Sequence, residues 1–246
     1  MALHCLLIHG LGACSFDMQG IGQALAAAGL PVRLVTLPGH DSTEQAFIQA
    51  RYDQWREHVL HEYDLLAAQG AVLLVGFSLG GLLALDVAQA RQPAGIVCIA
   101  APVMLYSWHP FFMPDWRLPL APLLQKVLPV VRRKGRTDAA RRIAPWQGHE
   151  TLHVTAHLVG MMQAQKRIRA GLGNITAPAL IWQAKGDMTC RAYNAFYLAQ
   201  HLGSSTVTLK LITLHQEGAG HHLLPTHSES AALVAASVRD FALSLA

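Results

Sequence analysis

Ala71-Val-Leu-Leu-Val75-Gly76-Phe-Ser78-Leu-Gly80-Gly81 is the stretch on which the fold turns. Five apolar residues, Ala71 to Val75, read as a strand buried on both faces, as inside a parallel sheet. Gly-x-Ser-x-Gly follows at residues 76–80, and Leu82 to Ala88 then reads as a helix. Strand, tight turn and helix are the context in which this motif presents a strained, outward-pointing serine hydroxyl. Gly76 and Gly80 lack a Cβ, so strand and helix can close around the turn. The helix N-terminus aims free N–H groups at Ser78 and favours negative charge there. The motif alone is short, and a Gly-rich turn with a bystander serine would look the same. The buried strand before it and Gly81 after it favour a functional serine.

Working outward, the pattern repeats. Cys5 to Ile8 reads as a short buried strand, followed at once by His9-Gly10-Leu11-Gly12. Such a turn exposes backbone N–H groups that can hold an anion. Met18, Ile21 and Leu25 keep helical spacing, with Ser15 as a candidate cap and Gly29 and Pro31 as the stop. Val32 to Leu37 is the next strand, closed by Pro38-Gly39-His40-Asp41. Tyr52, Trp55, Val59, Tyr63 and Leu66 share one helical face, which reads as core. Gly95 to Ala100 is another buried strand. Strand and helix alternate throughout, which predicts an open, mostly parallel α/β sheet with helices on both faces.

The alternation stops after Ala101-Pro102. No strand is expected from Val103 to about Arg169. Tyr106, Trp108, Phe111, Phe112 and Trp116 crowd its first half among prolines, and Arg132, Arg133, Lys134, Arg136, Arg141 and Arg142 mark a helical, basic second half. We read 103–170 as an inserted lid and residues 1–102 with 171–246 as the core. The aromatics, with Met161 or Met162, are expected to wall an apolar pocket over Ser78. The basic run is expected to face solvent. Sheet pattern returns with Ala179 to Ala184, ending in Lys185-Gly186-Asp187. A helix from Ala192 to Leu202, an edge strand from Val207 to Thr213, the loop Glu217-Gly-Ala-Gly220-His221-His222 and a helix from Glu229 to Leu245 complete the chain.

Composition narrows the function classes. A chain of 246 residues, 52% hydrophobic and 14% charged, suits one large-cored α/β domain with an insertion. A net charge of +4 is too small to imply nucleic acid. Cys5, Cys14, Cys98 and Cys190 form no Cys-x-x-Cys pair and read as reduced thiols, which fits a cytoplasmic protein. The N-terminus carries no basic segment or cleavage site, and no apolar run reaches transmembrane length, so no integral membrane contact is expected. Scattered histidines give no metal site, and Gly10-x-Gly12 lacks the third glycine and distant acid of a dinucleotide site. No cofactor is expected.

Ligands in open parallel sheets gather at the carboxyl ends of strands. Four candidates lie there: the His9–Gly12 turn, Ser78, Asp187 and His221. A serine nucleophile needs a base, and the base needs a carboxylate that fixes its tautomer. Ser78, Asp187 and His221 have those types. His222 is the neighbouring alternative, and the position after Gly220 favours His221. Asp187 can also cap the next helix through Thr189; Asp86 lies mid-helix and Asp115 in the lid. The N–H groups of Leu11 and Leu79 are candidate oxyanion donors. His9 and His40 read as structural.

With these pieces, the chain resembles the α/β-hydrolase fold over nearly its whole length, and within it small bacterial carboxylesterases and monoacylglycerol lipases. The matching segments are Leu6-Leu-Ile-His9-Gly10-Leu11-Gly12, Leu37-Pro-Gly-His40, Gly76-Phe-Ser78-Leu-Gly80-Gly81, Ile175-Thr-Ala-Pro178-Ala-Leu-Ile, Gly186-Asp187 and Gly220-His221. The resemblance implies Ser78 as nucleophile, Asp187 as acid, His221 as base, the Leu11 and Leu79 amides as oxyanion hole, and the insertion as a cap over an acyl pocket. The implied activity is hydrolysis of a small-molecule carboxylic ester through an acyl-enzyme. The same fold also hosts thioester, amide, peroxidase and lyase chemistry, and a non-catalytic receptor. Three departures stand out. The chain begins at what corresponds to the family's third strand, Asp41 follows His40 where glycine is frequent, and Ala219 precedes Gly220 where serine is common.

Overall fold

The computed structural model describes residues 2–108, 111–113, 116–216 and 218–246, with the backbone alone at Trp108, Phe111 and Phe112. Six parallel strands form the central sheet: β1 (Leu3–Ile8), β2 (Val32–Val35), β3 (Ala71–Phe77), β4 (Gly95–Ile99), β5 (Ala179–Ala184) and β6 (Val207–Ile212). Their order is β6-β5-β4-β3-β1-β2, with every neighbouring pair parallel. The expected α/β-hydrolase sheet is therefore present. The inner strands β1, β3, β4 and β5 are buried almost throughout, whereas the edge strands β2 and β6 are largely half-exposed. Continuous apolar runs mark strands covered on both sides.

Side chains alternate between the two faces. Leu6, Ile8, Leu74, Ile96, Cys98 and Ile181 face a core built with the helices Tyr52–Ala67, Leu79–Ala90 and Thr155–Gly171. Cys5, Leu7, Leu73, Val75, Val97 and Leu180 face the other core, closed by Gln19–Ala27 and Ala231–Leu243. Buried Asp86 ties the first layer together. It accepts from Tyr52 Oη and Arg167 Nη2 and pairs with Arg56, so this mid-helix carboxylate holds helices together.

The chain order reverses beside β1: β2 lies to one side of it and β3 to the other. The crevice at such a switch point, outside the carboxyl ends, is where ligands bind in this architecture. Here the β1 end carries the His9–Gly12 turn and the β3 end carries Ser78.

The inserted segment departs from expectation. It contains two small antiparallel ribbons, Ser107–Trp108 with Phe111–Phe112 and Val130–Arg132 with Leu152–Val154. These strands are too short to show a period in sequence. The last helix of the segment, Thr155–Gly171, joins the main core through Met161, Ala164 and Ile168. All four cysteines are buried and free. Among the described residues no helix is long and apolar enough to cross a membrane.

Glycines around the Ser78 turn are steric requirements. A Cβ on Gly76 would fall 2.2 Å from the Gly80 carbonyl oxygen, and one on Gly80 would fall 2.1 Å from that of Ile8. A Cβ on Gly20 would meet nothing within 4 Å. Gly80→Ala is therefore expected to lower unfolding stability by about 3 kcal/mol or more. Gly20→Ala, in a helix, should raise it by up to about 1 kcal/mol. Urea unfolding midpoints check the pair.

Candidate active site

Ser78 stands between β3 and its helix with φ 52° and ψ −117°. A non-glycine residue held at positive φ carries strain, which the sheet around it must sustain. The Ser78 N–H donates to Ile99 O at 2.9 Å, fixing the turn to β4. The side chain is half-buried and lines a cavity of about 680 Å³.

The imidazole bonded to Ser78 belongs to His222. Ser78 Oγ lies 2.9 Å from His222 Nε2, and His222 Nδ1 lies 2.7 Å from Asp187 Oδ2. In the tautomer these partners select, Nδ1–H donates to the carboxylate and Nε2 accepts from the serine. The expectation for His221 is thereby corrected. Gly220, at φ +71°, turns the chain, and His221 lies against Gly186, where a Cβ would come 2.1 Å from its Nδ1. His221 lines the same cavity without bonding Ser78 or Asp187. His222 packs beside Phe77, ring centroids 5.2 Å apart.

Asp187 is buried at the end of β5. Its Oδ1 accepts from Thr189 N and Cys190 N, both at 2.8 Å, so it caps the following turn and holds His222 at once. Burial works to raise its pKa, but the charge and bond of His222 and the two N–H donors bring it below the ordinary value. For His222 burial disfavours the cation, and the Asp187 carboxylate outweighs that, so its pKa is raised.

The first Gly-rich turn is braced on several sides. His9 Nε2 accepts from Leu37 N at 3.1 Å, and His40 Nε2 accepts from Gly12 N at 3.0 Å. Burial lowers both imidazole pKa values, to about 4 for His9 and about 3 for His40, so both stay neutral acceptors. Leu11 lines the cavity, and a Cβ on neighbouring Gly10 would lie 3.4 Å from Ser78 Cβ. Leu79 is the first residue of its helix, where an N–H has no intrahelical acceptor. Leu79 thus directly follows Ser78, and the turn that carries Leu11 lies beside it.

Pocket composition differs more from expectation. Met161 lines the cavity. Tyr106 and Met162 are half-buried and Trp116 is 70% exposed, and none of the three lines it. The side chains of Trp108, Phe111 and Phe112 lie outside the described residues. Among the described residues, apolar lining comes from Leu11, Pro102, Leu105, Trp146, Leu158 and Met161. Arg133, Lys134 and Arg136 also line the cavity; Arg133 and Lys134 are exposed, as expected of the basic run, and Arg136 is half-buried. The ribbon Val130–Arg132 with Leu152–Val154 brings them there, with Arg133 N donating to Thr151 O. Arg132 and Arg142 do face outward.

Asp17 is a residue that motif reading missed. It is 1% exposed, and neither carboxylate oxygen has a hydrogen-bond partner. Burial pushes its pKa up to about 8, against the pull of His222 and Arg136. No sequence signal marks it beyond a carboxylate in the turn after the His9–Gly12 segment.

A model of the family described as serine aminopeptidase, S33, matches residues 2–225. A thermostable monoacylglycerol lipase of Bacillus sp. (strain H-257) is 26% identical over 202 residues, covering 81% of this chain and 76% of the lipase. A carboxylesterase of Bacillus subtilis (strain 168) is 26% identical over 104 residues, 42% of each chain. The solved structure of a metagenome-derived lipolytic enzyme superposes with a TM-score of 0.81 at 17% identity, covering 98% of this chain and 94% of that one. The monoacylglycerol lipase of Paleococcus ferrophilus gives 0.76 at 18% identity, covering 99% and 95%. The two structural likenesses speak for the fold.

Asp17 has a pH signature. Its folded pKa, about 8, is above the ordinary 3.8, so the folded state holds the proton more tightly than the unfolded chain. Stability from this group is present below the unfolded pKa and is lost as pH rises towards the folded one. Asp17→Asn should therefore match wild type near pH 4 and gain melting temperature progressively towards pH 8, read by calorimetry. A difference independent of pH would mean that the carboxyl is ionised in the folded state.

Proposed function

Because the chain belongs to the serine aminopeptidase S33 family, a serine-hydrolase family of α/β-hydrolase fold, we propose that it hydrolyses small carboxylic esters through an acyl-enzyme on Ser78. The observation that carries this reading is the unbroken relay from Ser78 Oγ through His222 to Asp187. His222 takes the Ser78 proton as the hydroxyl attacks the ester carbonyl. Negative charge on the tetrahedral oxygen is met by the N–H groups of Leu11 and Leu79. His222 then returns the proton to the leaving alcohol, and water repeats the sequence on the acyl-enzyme. Asp187 holds the tautomer and stabilises the imidazolium. The segment 103–170 acts as the cover over this cavity, supplying Leu105, Trp146, Leu158 and Met161 to its apolar wall.

Ester hydrolysis fits better than removal of an N-terminal amino acid. An α-ammonium group needs a free carboxylate, and the two carboxylates that line the cavity among the described residues are engaged: Asp187 by His222 and Glu150 by Arg141. The cations at the rim would repel it. The lipase and carboxylesterase names of the relatives support the same substrate class.

Ser78→Ala should lower kcat on nitrophenyl butyrate by a factor on the order of 10⁶, the scale seen when a triad nucleophile is removed. His222→Ala should be nearly as damaging, whereas His221→Ala should keep most of the activity. Asp187→Asn should cost about 10⁴. In wild type, kcat/KM should rise with pH through a His222 pKa above the ordinary 6.5, and the residual activity of Asp187→Asn should rise at lower pH because the anion is gone. Fluorophosphonate labelling of Ser78 with these rate profiles checks the set. The opposite ranking of the two histidines would overturn the relay.

A further inference from the structure

We propose that the ester taken by this site carries an anionic group, a carboxylate or a phosphate, held at the cavity rim by Lys134 and Arg136 with Arg133 beside them. The inference rests on the ester-hydrolase reading above and names the substrate class within it. Arg133 and Lys134 are exposed residues that also line the cavity, so they stand at its mouth, and half-buried Arg136 lies further in.

Among the described residues, both carboxylates of this wall are already engaged. Asp187 is taken up by His222 and by the N–H groups of Thr189 and Cys190. Glu150 accepts from Arg141 Nη2 at 2.6 Å and from Arg136 N at 3.1 Å. Among the described residues no lining carboxylate is left for Lys134, and none forms an ion pair with it. Arg136 gives Nη2 to Ala140 O at 2.8 Å, while its Nη1 is buried without a partner. Arg136 Nε is 3.9 Å from Glu150, a distance at which the pair is loose.

A neutral alkyl ester or monoacylglycerol gains at most ordinary hydrogen bonds from such a rim. An anion gains charge-assisted hydrogen bonds, and a cleft with apolar walls concentrates the field of its cations on whatever enters. The basic run itself supplies the contrast. Arg132 pairs with Glu44, Arg142 is exposed and neither lines the cavity, whereas Arg133, Lys134 and Arg136 share it with Ser78. The anionic group lies on the acyl chain or on the alcohol, and two probe pairs separate these cases.

Binding to the Ser78→Ala protein, followed by isothermal titration calorimetry, measures the preference without turnover. Monomethyl glutarate against dimethyl glutarate tests a carboxylate on the acyl side. Butyryl glycerol phosphate against monobutyrin tests a phosphate on the alcohol side. At least one anion should bind about tenfold tighter than its neutral mate, and the advantage should fade between about 50 mM and about 500 mM salt. Lys134→Glu, at an exposed position, should erase or invert the advantage, and Arg136→Met should reduce it, with circular dichroism confirming the fold. Equal or weaker binding of both anions than of their neutral mates would overturn the proposal. So would a preference untouched by both substitutions. Turnover of neutral nitrophenyl butyrate by wild type is read separately. Its absence would remove the ester-hydrolase reading while the calorimetry still decides the anion site.

Discussion

The site depends on how closely three backbone segments approach beneath Ser78. The end of β1, the end of β3 and the first turn of the following helix come within distances that admit no side chain. A Cβ on Gly80 would strike Ile8 O, one on Gly76 would strike Gly80 O, and one on Gly81 would lie 2.7 Å from Ala101 Cβ. This packing leaves Ser78 its positive φ and aims its hydroxyl off the sheet edge. Strain of about 1–3 kcal/mol at such a residue persists only where the surroundings over-determine it. Here six parallel strands do so, and the same approach sets the Leu11 turn beside the serine. Ala100, at φ 47°, continues the pattern at the end of β4, with its N–H given to Trp182 O.

Electrostatics at the site separates two carboxylates by their partners. Asp187 receives two backbone N–H groups and the His222 ring, and its proton affinity falls despite burial. Asp17 has equal burial and no donor, and its proton affinity rises. Near neutral pH the first is an anion and the second largely a neutral acid. His222 therefore feels one strong anion at its Nδ1 side, while the charge of Asp17 develops only towards alkaline pH. Environments that push two acids apart in this way set which of them can act as a fixed countercharge.

Much of the fold was legible because inner parallel strands are covered on both faces. Unbroken apolar runs at Cys5–Ile8, Ala71–Val75, Gly95–Ala100 and Ala179–Ala184 could belong to little else once alternated with helices. Ser78 was legible for the same reason, since its strand and helix frame it. Asp187 was found from its place at a strand end. The imidazole bonded to Ser78 lies one residue later than expected, at His222 in place of His221. Two adjacent histidines in an irregular loop differ only by the path of that loop, which Gly220 and the bare face of Gly186 decide in three dimensions. Aromatic density locates the segment, but it does not say which side chains turn inward: Tyr106 and Trp116 do not line the cavity, and Leu105 does. Trp146 stands isolated in sequence and still reaches the cavity. The cations that line the cavity follow a three-residue strand, where no period exists to assign a face.

The segment that carries those cations is fastened to the oxyanion turn by its backbone. His149 N donates to Gly12 O at 2.7 Å, and Ala13 bridges Gly148 in antiparallel fashion. The approach is close enough that a Cβ on Gly148 would fall 2.0 Å from Gly12 O. On its other side Gly12 gives its N–H to His40. Gly148 and His149 lead directly to Glu150, which holds Arg141 and the Arg136 amide. A continuous path of main-chain and charged contacts therefore joins the Arg136 loop to the turn that contains Leu11. Displacing the cover would break the hydrogen bond that orients Gly12, next to the expected oxyanion donor. The loop that carries Arg136 and the turn that carries Leu11 thus share one backbone support, on which the proposed rim recognition and the proposed oxyanion stabilisation would both rest.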